Sequence, residues 1–270
     1  MRITFLGGGN MASALIGGLK EKGFSAAGIQ VIELNAGARE ALTDRFGVRC
    51  TDAIDPASLN CEVLVLAVKP QQMREAVKPL IGQLGKQLVI SIAAGLRVAD
   101  MARWLGGYSR IVRTMPNTPA LIGAGITGLY ASPDVDAEQR ELADTILGAV
   151  GSTVWVEDEA QVDAVTAISG SGPAYVFFFI EALESAALEL GFDLPSARKL
   201  ALETTLGAAR LAANSNDAPA VLRERVTSKG GTTEAALRSL ENDAVRAAIA
   251  RAAQAAAARG RELGAQLGQD

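Results

Sequence analysis

The sequence predicts an α/β protein in which a doubly wound parallel sheet is followed by an all-α domain. Up to about residue 155, short apolar runs alternate with longer helix-like segments, which is the pattern of a parallel sheet flanked by helices. From Val162 onward, long Ala- and Leu-rich segments with few β-branched residues favour helices over strands. At 270 residues the chain also exceeds one typical domain. We therefore expect a sheet domain over residues 1–158 and a helical domain over residues 159–270.

Seven short apolar runs are predicted to be strands. They lack a clean alternation of polar and apolar residues, as in VLVLAV and LVISIA, which indicates strands covered by helices on both faces. In chain order the predicted strands are Ile3–Leu6, Gln30–Glu33, Val63–Val68, Leu88–Ile92, Arg110–Arg113, Gly125–Tyr130 and Thr153–Val156. A sheet of six or seven strands is therefore expected.

The second half of the chain predicts about five helices and no sheet. Its first helix is expected to begin at Pro173, which suits the first helical position, and to end near Gly191. The segment YVFFFI at the start of this helix is apolar on every side, and a small helical domain has little interior to bury it. Burial against a second subunit is therefore expected. The last helix is predicted from Ala244 to about Leu263.

Composition excludes several classes of function. The formal net charge is −4, and 26 basic residues are spread among 30 acidic ones without a basic run, so no nucleic-acid partner is expected. The chain has no histidine, which excludes histidine-dependent hydride transfer, Ser-His-Asp hydrolysis and His-ligated metals. Cys50 and Cys61 have no metal-type spacing, so we predict reduced thiols and no metal site.

The N-terminal segment and the hydropathy favour a cytoplasmic protein. MRITFLGGGN lacks the longer apolar region and the small-residue cleavage site of a secretory signal. The apolar stretch Pro173–Ile180 is much shorter than the roughly 20 residues that a membrane-crossing helix needs. We therefore expect no membrane association.

A glycine cluster directly after the first strand matches the pattern G-x-G-x-x-G/A. Gly7 permits a tight turn, Gly9 lets the backbone approach a pyrophosphate, and Ala12 allows close packing of helix on strand. The helix that begins here presents free N–H groups and a positive partial charge to phosphates. A glycine-rich turn without a ligand is the alternative. The succession of strand, motif and second strand favours a Rossmann-type dinucleotide-binding domain.

The end of the second strand leaves the choice of dinucleotide open. Glu33 lies near the spacing expected for a carboxylate that binds the ribose 2′-hydroxyl and so favours NAD over NADP. The following Leu34, Asn35, Ala36 and Arg39 are equally compatible with a neutral or cationic pocket for a 2′-phosphate. A third reading turns Glu33 away from the cofactor, because neighbouring strand residues face opposite sides.

Residues after the third and fourth strands are expected to border the dinucleotide, because ligands of α/β sheets lie beyond the carboxyl ends of the strands. These residues are AVKP and SIAAG, whose small side chains and proline allow a close approach. Lys69 either binds cofactor or substrate or is a solvated lysine. In the later loop MPNTP, Asn117 offers both a donor and an acceptor, with a rigid turn as the alternative.

Two hydroxyl- and glycine-rich segments in the helical half precede predicted helices. They are ISGSGP at residues 168–173 and VTSKGGTTE at residues 226–234. Backbone N–H groups, hydroxyls and a helix N-terminus together suit a carboxylate. Each segment alone is compatible with a simple N-cap. Two of them after a dinucleotide-binding domain favour a small anionic substrate.

The order and spacing of six motifs resemble those of the pyrroline-5-carboxylate reductase family: GGGNMA, AVKP, SIAAG, MPNTPA, SGSGPAYVF and VTSKGGTT. The resemblance extends over essentially the entire chain. It implies a Rossmann domain joined to an all-α dimerisation domain, which forms an intertwined homodimer that often assembles into a decamer. It also implies reduction of Δ1-pyrroline-5-carboxylate to L-proline, the final step of proline biosynthesis, with NADP(H) or NAD(H).

The same resemblance assigns roles to the residues of the matching motifs. Cofactor binding falls to Gly7, Gly8, Gly9, Asn10, Met11, Ala12, Leu34, Asn35, Ala67, Val68, Lys69, Pro70, Ile92, Ala93 and Ala94. Substrate binding falls to Ser228, Gly230, Gly231, Thr232, Thr233, Asn117 and Ser171. Thr233 is expected to be the catalytic hydroxyl, nearest the ring nitrogen. The chain departs from the family pattern at Lys229, Ile54 and Glu33, and the last two leave the NADPH preference open.

Hydride delivery to an iminium needs position and electrostatics rather than a histidine base, so the histidine-free composition is consistent with this chemistry. Two alternatives remain at this point. A β-hydroxyacid dehydrogenase would use a lysine, for which Lys199 is the one candidate, although SARKLALETTLG around it offers no glycine-rich cradle. A non-catalytic regulator would bind the dinucleotide and reduce no imine.

Overall fold

The structure is a computed structural model that describes residues 1–269. Contacts divide the chain into two compact units. The first comprises Met1–Ser171 together with the end of the chain from Ala256, and the second comprises Gly172–Ala255. The division into domains at residue 158 stays a prediction.

The first unit is built on an eight-stranded sheet, which confirms the predicted α/β class. The strands are β1 (Ile3–Leu6), β2 (Ile29–Ile32), β3 (Arg49–Thr51), β4 (Val63–Leu66), β5 (Leu88–Ser91), β6 (Ile111–Met115), β7 (Gly125–Ala131) and β8 (Gly151–Trp155). Their order is β3-β2-β1-β4-β5-β6-β7-β8. The order reverses between β1 and β4, and such a switch point is where open α/β sheets bind ligands.

Helices flank this sheet, and further helices form the second unit. The first six are α1 (Asn10–Glu21), α2 (Ala36–Phe46), α3 (Met73–Val77), α4 (Val98–Trp104), α5 (Ala137–Leu147) and α6 (Ala160–Val165). The remaining five are α7 (Gly172–Glu189), α8 (Leu194–Ala213), α9 (Pro219–Arg225), α10 (Thr232–Asn242) and α11 (Val245–Leu267). Five helices without a strand over residues 172–269 agree with the prediction for this part of the chain.

Two apolar layers lie on opposite faces of the sheet and explain why its strands read as continuous apolar runs. Phe5 and Val65 face a layer that contains Leu15 of α1, all three fully buried. Leu64 faces the opposite layer with Met73 of α3, and both are fully buried as well. Successive strand residues therefore both need apolar side chains, as expected of a sheet covered on both faces.

The sheet differs from the predicted one in two respects. β3 was not predicted, because this three-residue edge strand is at most half-buried and carries no apolar run. In addition β7 is antiparallel to β6, so the sheet is not parallel throughout. Only residues 116–124 connect these two strands, whereas a parallel crossover needs about a dozen residues or more. The short connection therefore forces the strand to reverse.

The first long helix in the second half begins within one residue of its predicted start at Pro173, but helical structure also precedes it. A π-helical turn over Thr166–Gly170 joins α6 to α7, so helical structure continues through Ser171. The Ser171 N–H donates to the Thr166 carbonyl oxygen at 2.8 Å. Residues 166–170 of this segment are therefore helical instead of a free lead-in, and the predicted binding of an anion there stays a prediction.

The apolar start of α7 lies largely exposed in a single chain. Phe177, Phe178 and Phe179 are 65%, 74% and 53% exposed. The continuous helical run Ala160–Glu189 is long and apolar enough to cross a membrane by length and composition alone, a test that helices of soluble proteins also pass. A patch of exposed aromatic side chains marks a surface for interaction with a protein or a membrane.

Candidate functional site

The glycine loop after β1 has a backbone that only glycine at position 7 allows. Gly7 has φ +101°, and its N–H donates to the Ile32 carbonyl oxygen at 2.8 Å. A Cβ atom on Gly7 would lie 2.7 Å from the Ala67 carbonyl oxygen, which is closer than real Cβ contacts come. The loop is thus drawn tightly against the end of β4, as the motif predicts.

The start of α1 leaves its first-turn amides available to a ligand. Gly9 is the N-cap residue, no side chain caps this end, and the first turn carries no acidic residue. A Cβ on Gly9 would meet nothing within 4 Å. Ala12, by contrast, is 1% exposed and anchors the helix to the core. An uncapped helix N-terminus beside open space is the arrangement that binds a pyrophosphate.

A cleft of about 670 Å³ lies beside this loop, at the carboxyl ends of the strands. That volume is in the range of small-molecule and cofactor sites. The structure brings together in its lining eight of the residues predicted to bind the cofactor: Gly7, Gly8, Gly9, Leu34, Asn35, Ala67, Val68 and Lys69. Most of the predicted adenosine and pyrophosphate contacts therefore meet in one cleft.

The other predicted cofactor residues lie close along the chain but outside that lining. Asn10 and Met11 form the first turn of α1, and Pro70 begins the short helical turn after β4. After β5, the Ile92 N–H donates to the Leu66 carbonyl oxygen, and Ala93 is buried beside Ala94. Their assignment to the cofactor stays a prediction.

Ten further residues that were not assigned to the cofactor from the sequence also line the cleft, and they include Glu33, Asp52, Ile54 and Gln72. Asp52 and Ile54 follow β3. Because β3 was not predicted, the sequence did not indicate that this loop lies beside the cofactor cleft. Glu33 follows β2 and was left undecided between cofactor and solvent. Lys69 is exposed at the end of β4, which brings a positive charge to the same cleft.

Asn117 links the loop after β6 to the π-helical turn. Its side-chain Nδ2 donates to the Ser169 carbonyl oxygen at 3.1 Å, and its Oδ1 accepts from the Ile126 N–H at 3.0 Å. A Cβ on Gly170 would lie 2.7 Å from Met115 Cε, so glycine permits this contact between turn and strand. Asn117 thus positions the turn, and its direct contact with substrate stays a prediction, as does that of Ser171.

The second candidate loop, which connects α9 to α10, forms a tight turn at two glycines. Gly230 has φ +75°, and the Gly231 N–H donates to the Ser228 carbonyl oxygen at 3.0 Å. A Cβ on Gly231 would lie 2.5 Å from Ser228 Oγ, so the turn closes only around a glycine. The Glu234 carboxylate accepts from the Gly230 N–H at 2.6 Å and holds the turn from the helix side.

This turn leads directly into the first turn of α10. Gly231 is the N-cap residue and no side chain caps this end, while Thr232 and Thr233 begin the helix. Thr233 is half-buried, whereas Ser228 and Thr232 are exposed. The predicted substrate residues are thus contiguous, and they combine hydroxyls with an uncapped helix N-terminus.

A Rossmann sheet that presents a glycine cradle and a cleft of this size is the arrangement of a dinucleotide-binding domain, and the comparisons with known proteins place the chain among the nicotinamide-dependent oxidoreductases. Residues 2–95 match a family model described as NADP oxidoreductase, coenzyme F420-dependent, and residues 159–263 match one described as pyrroline-5-carboxylate reductase dimerisation. The chain belongs to the pyrroline-5-carboxylate reductase family, which confirms the resemblance seen in the sequence.

Relatives of known name support this membership along the whole chain. A pyrroline-5-carboxylate reductase of Pseudomonas aeruginosa is 46% identical over 269 residues, which are 99% of this chain and 98% of the relative. A solved structure of the reductase from Coxiella burnetii has a TM-score of 0.93 at 42% identity, covering 97% and 98% of the two chains. The Plasmodium falciparum pyrroline carboxylate reductase, solved with NADP bound, has a TM-score of 0.85 at 27% identity, covering 98% of each chain.

Proposed function

We propose that this chain reduces the C=N bond of Δ1-pyrroline-5-carboxylate to give L-proline, with NAD(P)H as the hydride source, in the final step of proline biosynthesis in the cytoplasm. The glycine cradle at Gly7 and Gly9, in a chain of this family, is the observation that carries the proposal. The alternative β-hydroxyacid dehydrogenase would use Lys199 as its catalytic lysine. Lys199 is exposed on α8, and its sequence neighbours form no glycine-rich loop that could hold a substrate.

The residues of the first unit fit a nicotinamide dinucleotide. The open space at Gly9 and the uncapped α1 suit the pyrophosphate, and the cleft between the ends of β2 and β4 suits the adenosine half. When bound, the reduced nicotinamide supplies the hydride. Ile92 and the small residues Ala93 and Ala94 after β5 then border the nicotinamide end in this proposal.

The turn before α10 holds the substrate carboxylate in this proposal. The N–H group of Thr232 and the hydroxyls of Ser228 and Thr232 are concentrated at one helix N-terminus, which attracts an anion. Thr233, half-buried one residue further on, donates or accepts a hydrogen bond at the ring nitrogen. Asn117 and Ser171 complete the substrate residues of the proposal.

The chemistry asks little more of the protein than position. An iminium carbon accepts hydride directly, so no general base is needed to activate it. The bound carboxylate fixes the position of the substrate ring. The contact of Thr233 with the ring nitrogen fixes which face of the ring accepts the hydride. The absence of histidine from the sequence is consistent with this division of labour.

Thr233→Ala is expected to lower kcat/KM for the imine by roughly 5- to 150-fold, because one hydrogen bond at the reacting group is lost. Steady-state kinetics over a range of imine concentrations measures the effect. Thr233→Ser keeps the hydroxyl and should restore most of the activity. Thr204→Ala, the same change at an exposed position of α8, is the matched control. A Thr233→Ala enzyme with unchanged kcat and KM would contradict the role.

The apolar face of α7 is proposed to be covered by a second copy of the chain. The exposed side chains Phe177, Phe178 and Phe179 lie within the segment that matches the dimerisation model. Burial of three aromatic side chains gives a stable interface core. We propose a homodimer, assembled further into a decamer as the family resemblance implies, and sedimentation velocity measures both states.

The reductase proposal is tested by following reduced-nicotinamide absorbance with purified protein and pyrroline-5-carboxylate, with NADPH and NADH in parallel. Oxidation that depends on both protein and imine is expected. Protein that binds the dinucleotide but oxidises neither cofactor would refute the proposal and favour a regulator.

A further inference from the structure

Glu33 occupies a fixed position in the cofactor cleft. Its Oε2 accepts from the Gly8 N–H at 2.9 Å, and its Oε1 accepts from the Asn35 N–H at 2.8 Å. One carboxylate therefore bridges the glycine loop and the start of α2. Hydrogen bonds to an ionised acceptor are strong and fix its orientation. The half-buried side chain also lines the cleft that is proposed to hold the cofactor.

The bridging carboxylate retains acceptor capacity. Each carboxylate oxygen has about two acceptor sites, and a backbone N–H takes one on each oxygen. A ribose hydroxyl is a donor that matches the sites left over. A phosphate offers only oxygens and negative charge to the same position, and like charges across a contact are strongly unfavourable.

The guanidinium of Arg39, next to Glu33, is already engaged. Arg39 Nη1 donates to the carbonyl oxygens of Glu33 and Leu34, each at 2.8 Å, and Nη2 lies 3.9 Å from the Asp52 carboxylate. Asp52 lines the cleft as well. The carboxylates of Glu33 and Asp52 thus lie next to the Arg39 guanidinium, which leaves no excess of positive charge among these three side chains for a 2′-phosphate.

We propose that Glu33 is a specificity-determining residue, which binds the 2′-hydroxyl of the adenosine ribose and biases the cleft towards NADH and against the 2′-phosphate of NADPH. The inference rests on the proposed function for its nicotinamide cofactor and deepens it by naming which dinucleotide this chain prefers. Glu33 also connects the glycine loop to the start of α2 through its two hydrogen bonds. The same side chain therefore affects both the choice of cofactor and the geometry of the loop.

The test uses half-molecules that lack the nicotinamide. Isothermal titration with 5′-AMP and with adenosine 2′,5′-bisphosphate measures the effect of the 2′-phosphate directly. The wild-type chain is expected to bind AMP at least as tightly as the bisphosphate. Glu33→Ser is expected to shift the ratio of the two affinities by about 10-fold or more towards the bisphosphate. Glu33→Gln, which keeps the size, should shift it in the same direction.

Glu40→Gln is the matched control, because Glu40 is exposed on α2 and outside the cleft lining, and its loss changes the net charge equally. A ratio that is unchanged in both Glu33 variants, or that shifts equally in Glu40→Gln, overturns the proposal. A wild-type preference for the bisphosphate that Arg39→Met abolishes also overturns it. Thermal melting confirms that each variant is folded. Because no imine is present, failure of the reductase proposal would leave these ratios untouched.

Discussion

Arg113→Met is expected to lower the free energy of unfolding by about 3 to 5 kcal/mol, because it leaves a buried carboxylate without its partner. The Arg113 side chain on β6 is only 2% exposed. Its Nη2 lies 2.7 Å from Asp163 Oδ1, and its Nη1 lies 3.2 Å from Glu159 Oε1. Urea unfolding followed by circular dichroism, at a fixed protein concentration, measures the loss.

Two comparisons separate the buried pair from a general effect of charge. Arg259→Met removes one partner of an ion pair with Glu262 that is more than half exposed on both sides, so a change below about 1 kcal/mol is expected. Arg113→Met combined with Asp163→Leu removes both buried charges and should recover much of the stability. A loss below 1 kcal/mol in Arg113→Met alone would show that water reaches Asp163.

Gly7→Ala is expected to weaken NADPH and NADH binding on the order of 100-fold, because displacement of a binding loop by about 1 Å has effects of that size. The added Cβ would lie 2.7 Å from the Ala67 carbonyl oxygen, and φ +101° disfavours alanine independently. Quenching of protein fluorescence or cofactor fluorescence enhancement on titration gives the affinity, and thermal melting gives the accompanying loss of stability.

Two glycine variants distinguish backbone strain from ligand contact. Gly23→Ala has a comparable φ of +89° but open space around its Cβ, so it should lower stability by about 1 to 2 kcal/mol and leave binding unchanged. Gly9→Ala has open space and no positive φ, so the protein should stay stable while the pyrophosphate site is narrowed. Equal binding losses in Gly7→Ala and Gly23→Ala would attribute the effect to strain alone.

The sequence predicted the parts of the fold that depend on local apolar pattern. β1 matches its prediction residue for residue, because Ile3–Leu6 is a buried run that ends at a glycine. β3 was not predicted because Arg49–Thr51 pairs with the sheet edge through its backbone, and no side-chain pattern indicates such pairing. The antiparallel β7 had a signal in the short connection before it, but the apolar pattern of a strand does not reveal its direction.

The candidate site was predicted where glycine determines the backbone and missed where long-range pairing does. Gly7 and Gly9 behave as their motif requires. The continuous helix through Ser171 was missed because Ser and Gly favour caps in general, whereas here Ser169 Oγ donates back to the Val165 carbonyl oxygen within the helix. Asp52 lines the cleft because it follows β3, which pairs with β2. Its position therefore depends on a strand pairing between residues that are not close in sequence.

The core of the first unit includes residues at the end of α11, which come after every strand of the sheet in the chain. Gly264 packs so closely on Gly95 that a Cβ would lie 2.6 Å from the Gly95 carbonyl oxygen, and Arg103 donates to the Gly268 carbonyl oxygen at 2.6 Å across 165 residues. During synthesis the ribosome releases the sheet strands well before these partners exist. Such distant closures carry a large entropic cost and form late. In a nascent chain stalled before residue 256, the apolar residues against which Leu267 packs would be exposed to chaperones. The first unit would reach its final fold only after the last turns of α11 were synthesised.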